Sequence, residues 1–164
     1  MRDLVAGLVA VALLLLALSL ATTLHFFRRR RLRAREAERD MGRTVIAEIP
    51  AAEDLVLFSE DGKSFHYGTR IIAKDSIAAA RVLINGAPIA AIVSSTHKNA
   101  AALRPTSFED HPEGIARDRW DVAIETTEGT ALVECGAIRE RVSQELARAV
   151  FDAVRRSIEQ RDRL

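Results

Sequence analysis

The sequence predicts an α+β protein: an N-terminal transmembrane helix, then an antiparallel β-sandwich or barrel capped by a C-terminal amphipathic helix. Three observations carry that prediction. Residues 4–27 hold no charged side chain apart from the titratable His25. The middle of the chain alternates apolar and polar residues between the turn dipeptides Asp61-Gly62, Asn85-Gly86 and Glu128-Gly129. From Val142 to Ile158 the apolar residues return every third or fourth position, the period of one helix face.

The first element is an anchor. Its uncharged run of 24 residues, rising about 1.5 Å per residue, spans roughly 36 Å as a helix, enough for a hydrocarbon core of about 30 Å. Leucine, valine and alanine fill its centre, and a helix satisfies every backbone group internally. A secretory signal is the alternative, because Ser19, Leu20 and Ala21 offer small residues to a signal peptidase. Against it, Arg2 stands beside Asp3 in a poor positive n-region, and the apolar run exceeds the usual signal core of about 7–15 residues.

Arginines Arg28, Arg29, Arg30, Arg31, Arg33 and Arg35 follow at once. Set against Arg2 and the terminal amine, they place the arginine side in the cytoplasm. The expected location is the inner cell membrane, with a single pass, the N-terminus outside and the larger C-terminal part inside. The arginines also meet anionic lipid head groups, so membrane lipids are the first expected partner. A nucleic-acid partner is not expected, because no aromatic side chain interleaves the arginines and no binding module surrounds them.

The chain then divides into an anchor at 1–27, a basic helical stalk at 28–42 and a cytoplasmic domain at 43–164. The stalk is charged and rich in helix formers, and Gly42 can end it. Residues 1–42 carry eight Lys/Arg against four Asp/Glu, whereas residues 43–164 carry 16 against 19. A mildly acidic domain of this size holds one core and does not bind DNA through bulk charge. The lone Cys135 excludes an intrachain disulfide and fits a reducing compartment.

Beyond Pro50 the period becomes that of strands. Two strands flank a turn at 59–63, a third ends at Ala73, and the next runs from Ile77 to Ile84 after a turn at Lys74, Asp75 and Ser76. Asn85-Gly86 leads tightly into a strand from Pro88 to Ser94, with the proline near its start. Residues 95–118 show no sustained period beyond one irregular strand in 101–108, and a loop this long is functional or mobile. Trp120, Val122 and Ile124 then alternate with Asp121, Ala123 and Glu125, and Glu128-Gly129 turns the chain back toward Cys135. The closing helix carries the stripe Val142, Leu146, Val150, Phe151, Val154 and Ile158, with Ser143 as its cap and Glu145 in its first turn. Arg155, Arg156 and Arg161 lie near its other end.

The segments FHYGTRIIAKDSIAAARVLING and RWDVAIETTEGTALVECGAIRERVSQELARAVFDAVRRSI have the hairpins and the strand, turn, strand, helix ending of a known family. Over residues 53–160 the chain resembles membrane-anchored bacterial pleckstrin-homology-like (PH-like) domains, which implies five to seven antiparallel strands, one closing helix and an interaction scaffold. Phosphoinositide-binding members clamp phosphates with basic residues around the first hairpin loop. Here that loop reads SEDGK, with Glu60 and Asp61 against Lys63, so the resemblance supplies no binding residues.

Catalytic chemistry is not expected. Cys135 has no partner motif, Ser94 has no nucleophile-elbow frame, and the eight glycines lie scattered at turns. His66 alternates with Phe65 and Tyr67 on a strand and reads as a satisfied residue; Trp120 and Phe151 read as core. Glu109, Asp110, His111 and Glu113, with His97 nearby, match no metal-ligand spacing, so neither a metal nor any other cofactor is expected. The expected function is a membrane-tethered, non-enzymatic interaction domain that binds a protein, a peptide or its own copies as a homo-oligomer. The alternative is a small-molecule or metal sensor using the 95–118 loop.

A reporter active only in the cytoplasm, fused after Leu164, is expected to be active, and replacing Arg28, Arg29, Arg30 and Arg31 by glutamine is expected to weaken that activity. Activity of a periplasm-only reporter in the unaltered fusion would reverse the orientation.

Overall fold

A computed structural model describes residues 2–51, 55–95 and 119–163. The chain forms two compact units, Met1–Met41 and Gly42–Leu164. The first is one helix, α1 (Arg2–Asp40), running without a break from the apolar segment through the arginines. Thr22 and Thr23 donate their hydroxyls to the carbonyl of Ser19 at 2.8 and 2.7 Å, so these polar groups stay inside the helix surface. Leu13, Leu14, Leu15, Leu16, Leu18, Leu20 and Phe26 are all exposed. A helix apolar all round needs a nonpolar surrounding, and this one is long and apolar enough to cross a membrane. Gly42 follows it at φ 74°, a left-handed end that glycine adopts without strain.

The second unit is α+β. Its strands are β1 (Thr44–Pro50), β2 (Leu55–Glu60), β3 (Ser64–Tyr67), β4 (Arg70–Ala73), β5 (Ile77–Ile84), β6 (Ala87–Val93), β7 (Arg119–Thr126) and β8 (Gly129–Ala137). A short 3-10 turn, Lys74–Ser76, joins β4 to β5, and α2 (Arg141–Arg161) ends the unit. All pairs are antiparallel, in two four-stranded sheets ordered β1-β2-β3-β4 and β6-β5-β7-β8. Among the described residues no hydrogen-bonded ladder joins one sheet to the other, so the sheets are not closed into a barrel.

Strand β1 was not anticipated. TVIAEIP lies before Pro50 and hides its alternation behind a register shift between Val45 and Ala47, where Ile46 is the extra residue. A bulge of this kind breaks the period of two on which strands are recognised. The tight turn after β5 forms as read, with Asn85 at φ 52° and Gly86 at φ 81°, the paired left-handed geometry of a two-residue hairpin. The irregular strand expected in 101–108 lies outside the described residues.

The core lies between the sheets and α2. Phe58 and Phe65 stack at 5.5 Å from diagonal positions of β2 and β3, among Ile49, Ile72, Ile77, Val122, Ile124 and Val133. Helix α2 contributes Ala147, Val150, Ala153, Val154 and Ile158. Its first turn corrects the sequence reading. The helix starts at Arg141 with Glu140 as N-cap, and Ser143 is a buried helical residue whose hydroxyl donates to the Glu140 carboxylate at 3.3 Å. Val142, expected on the apolar stripe, is 61% exposed. The face actually used runs through positions 143, 147, 150, 154 and 158, which keeps the 3.6-residue period better than one starting at 142.

Gly136 explains why a small residue faces the sheet there. A Cβ at Gly136 would lie 2.5 Å from the Ser143 hydroxyl, and the glycine sits at φ 113° beside the bulge that makes Cys135 the extra residue on β8. Backbone and helix touch here, so a side chain at Gly136 has no room.

The far end of α2 is tied down by polar contacts. The guanidinium of Arg161 donates to the carbonyls of Lys74 (2.8 Å), Asp75 (2.9 Å) and Ile77 (2.7 Å), and to the hydroxyl of Ser94 (2.7 Å). That hydroxyl donates in turn to Asp162 at 2.8 Å, and Asp162 accepts the backbone N–H of Ser95 at 2.7 Å.

Ile158→Ala removes a side chain with almost no exposure and is expected to cost about 2–5 kcal/mol, whereas Val142→Ala should stay within about 0.5 kcal/mol. Urea midpoints of the 42–164 unit read both. Equal midpoints for the two variants would mean that α2 covers no core.

Candidate functional site

Arg28, Arg29, Arg30, Arg31, Arg33 and Arg35 all lie on α1 as exposed side chains. Glu109, Asp110, His111, Glu113 and His97 lie outside the described residues, as does nearly all of the 95–118 loop. Among the described residues no three histidine, cysteine or acidic side chains gather closely enough to hold a metal ion. Cys135 is buried, and burial pushes its thiol up to about 12, with nearby Asp121 adding to the effect and Arg119 opposing it. Such a thiol is protonated at neutral pH and unreactive. Trp120 and Phe151 pack against the core.

The first hairpin loop is a latch. Asp61 accepts the backbone N–H groups of Lys63 and Ser64, each at 2.7 Å, through one carboxylate oxygen. The other oxygen accepts a 2.7 Å hydrogen bond from Nε2 of His66, which is buried on β3. The His66 hydrogen bond, then those two N–H groups, hold the Asp61 carboxyl well below its ordinary range. Beside it Lys74 pairs with Glu60 at 3.1 Å, donates to the Asp61 carbonyl at 2.7 Å and lies 4.8 Å from the centre of the Phe65 ring. The acidic groups of SEDGK are thus committed to its own fold. His66 is a satisfied structural residue, and nothing in this geometry presents a cation cluster to a phosphate.

A second polar cluster lies on one face of β5, β7 and β8. Arg81 pairs with Glu125 at 2.9 Å, and Arg119 pairs with Asp121 and with Glu134, both at 2.7 Å. Sequence reading missed it because Arg81 and Glu125 stand 44 positions apart and only the β5–β7 register makes them neighbours. Three carboxylates meet two guanidinium groups here, and the pairs tie β5 to β7 and β7 to β8.

Among the described residues a groove opens where the two sheets are not joined. Two adjoining hollows of ≈ 360 and ≈ 310 Å³ share Arg70. The larger is lined by all of β4 and by residues of the β7–β8 turn and the start of β8; the smaller lies between Tyr67, Gly68 and Thr69 on one side and Leu132 and Glu134 on the other. Tyr67 bridges the sheets, its hydroxyl accepting the backbone N–H of Glu134, while burial raises its pKa above the usual phenol value. Ile71 stands at the rim, 69% exposed.

Strand register shows what β4 offers to that groove. Gly68 at φ 58° and Thr69 make a two-residue hairpin, so Tyr67 and Arg70 form its first hydrogen-bonded pair. Alternation then turns the N–H and C=O of Ile71 and Ala73 away from β3, and the bond from Lys74 N–H to the Lys63 carbonyl at 2.8 Å keeps the same alternation. Sequence reading placed β4 but could not show that no described strand pairs with its second edge.

Comparison with protein-family models, curated proteins and solved structures finds no match. The function therefore rests on the geometry of the chain itself.

The latch predicts an acid dependence. The Asp61 carboxyl is held below its unfolded range near 4, so its contribution is fully present above that range and is lost as pH falls through the lower folded value. The stability difference between the parent and Asp61→Asn should be largest at pH 6 and shrink steadily below pH 4 in urea unfolding. A difference constant down to pH 3 would mean that the His66 bond does not depend on ionised Asp61.

Proposed function

We propose that the chain is a single-pass, membrane-tethered interaction domain without catalytic activity, its C-terminal unit held on the cytoplasmic face. The groove between β4 and β8 carries this reading: a domain that leaves the β4 edge unpaired among the described residues is suited to receive a partner backbone. A helix able to cross a membrane and the six arginines after it support the tether, with the arginines meeting anionic lipid and setting orientation. The first sheet of four strands, the second sheet and the closing helix support a PH-like arrangement, with eight strands instead of the five to seven which that resemblance implies. Lipid recognition through the first hairpin loop is not part of the proposal, because Asp61 and Glu60 occupy it and are already paired.

A photo-crosslinking amino acid in place of Ile71 tests the reading in intact membranes. It is expected to yield a covalent protein adduct that the same residue in place of Arg148, on the exposed face of α2, does not yield. Absence of an adduct from both positions would remove the interaction-domain reading.

A further inference from the structure

We infer that the β4 edge binds an extended peptide segment with an acidic side chain set against Arg70; this rests on the interaction-domain reading and names its site and ligand class. Each sheet has two edges, and three of the four are protected or occupied. On β6 the hairpin makes Ile84 and Ala87 a hydrogen-bonded pair, so the ring nitrogen of Pro88 points outward, where an added strand would need a donor. A register shift follows at once between Val82 and Leu83. Strand β1 carries its own shift between Val45 and Ala47, ends on Pro50 and is packed by α2. The β8 edge gives its Glu134 N–H to Tyr67, and a bulge at Cys135 turns its last residues. Proteins blunt edges in these ways to prevent unwanted strand addition.

Among the described residues, edge β4 has none of these devices. It contains no proline, its pairing with β3 runs without a register shift, and Ile71 and Ala73 present outward N–H and C=O groups. The groove beside it gives an added backbone somewhere to lie, bounded by Thr130 and Ala131 across the gap. Main-chain pairing of this kind supplies affinity without sequence preference, and side-chain pockets supply the choice.

Charge makes the choice here. Arg70 lines both hollows and has no ion-pair partner among the described residues, whereas Arg81, Arg119, Arg155 and Arg161 are all paired. A guanidinium at the middle of a groove favours a carboxylate, which it can meet with two parallel hydrogen bonds. Exposed Ile71 adds an apolar contact suited to a β-branched neighbour.

The test uses the full chain in lipid nanodiscs and a random eight-residue peptide library displayed on phage, with empty nanodiscs as the subtraction. Peptides enriched in glutamate or aspartate beside β-branched residues are expected. Ile71→Pro removes an outward N–H while leaving the β3 ladder intact, and should lower their retention at least tenfold. Arg70→Glu should turn the preference to lysine and arginine. A measurement on the peptide keeps the test valid should Ile71→Pro not fold: backbone N-methylation along an enriched peptide should weaken binding at alternate residues only. Enriched peptides that Ile71→Pro and Arg70→Glu retain like the parent would place binding elsewhere and overturn the β4 site, leaving the interaction-domain reading to its crosslinking test. No enrichment over empty nanodiscs, or energy transfer between labelled copies of the chain that Ile71→Pro abolishes, would likewise overturn it, the latter by showing a second copy as the occupant.

Discussion

One arginine holds the second unit in shape. Arg161 sits at the end of α2 and donates to three carbonyls around the turn where the first sheet becomes the second, and to Ser94 at the end of β6. Those carbonyls belong to a 3-10 turn and the first residue of β5, where the sheet ladder supplies few donors. A guanidinium carries five N–H groups in a rigid fork, so it can satisfy several of them at once. Asp162 completes the clasp through Ser94 and Ser95. The helix is thereby pinned at one end by charge-assisted hydrogen bonds and at the other by Ser143 against Gly136.

That double attachment accounts for where the protein is closed and where it is open. With α2 laid over one side, Ile77, Ala80, Val122, Ile124, Val150 and Val154 bury one another. The run Ala78, Ala79 and Ala80 is fully buried because small side chains let layers approach at this corner. The opposite side, between β4 and β8, receives no helix. Tyr67 crosses it, and among the described residues the sheets are bridged there by a hydrogen bond and not by a ladder.

Several polar groups of the described residues are spent on this architecture. His66 and Asp61 close a hairpin, Lys74 neutralises Glu60 while covering Phe65, and Cys135 is a buried small hydrophobe at a bulge. Arg70 differs from these in facing the groove without a counter-ion among the described residues. It is one residue of a four-residue strand, and no spacing in the chain distinguishes it from the other arginines.

Local patterns therefore carried a defined share of this protein. The apolar run, the arginines after it, three hairpin turns and a terminal helix were readable because each depends on residues within a few positions of one another. The two-sheet division, β1 behind its bulge, and the rotation of α2 that buries Ser143 and exposes Val142 were not, because they depend on what packs against Gly136 and on register between distant strands. The Arg81–Glu125 pair and the Arg161 clasp belong to the same class, joining residues 44 and up to 87 positions apart. The groove is the furthest from sequence, since an unpaired edge is a property of the neighbours a strand lacks, and only the assembled sheets decide which neighbours are lacking.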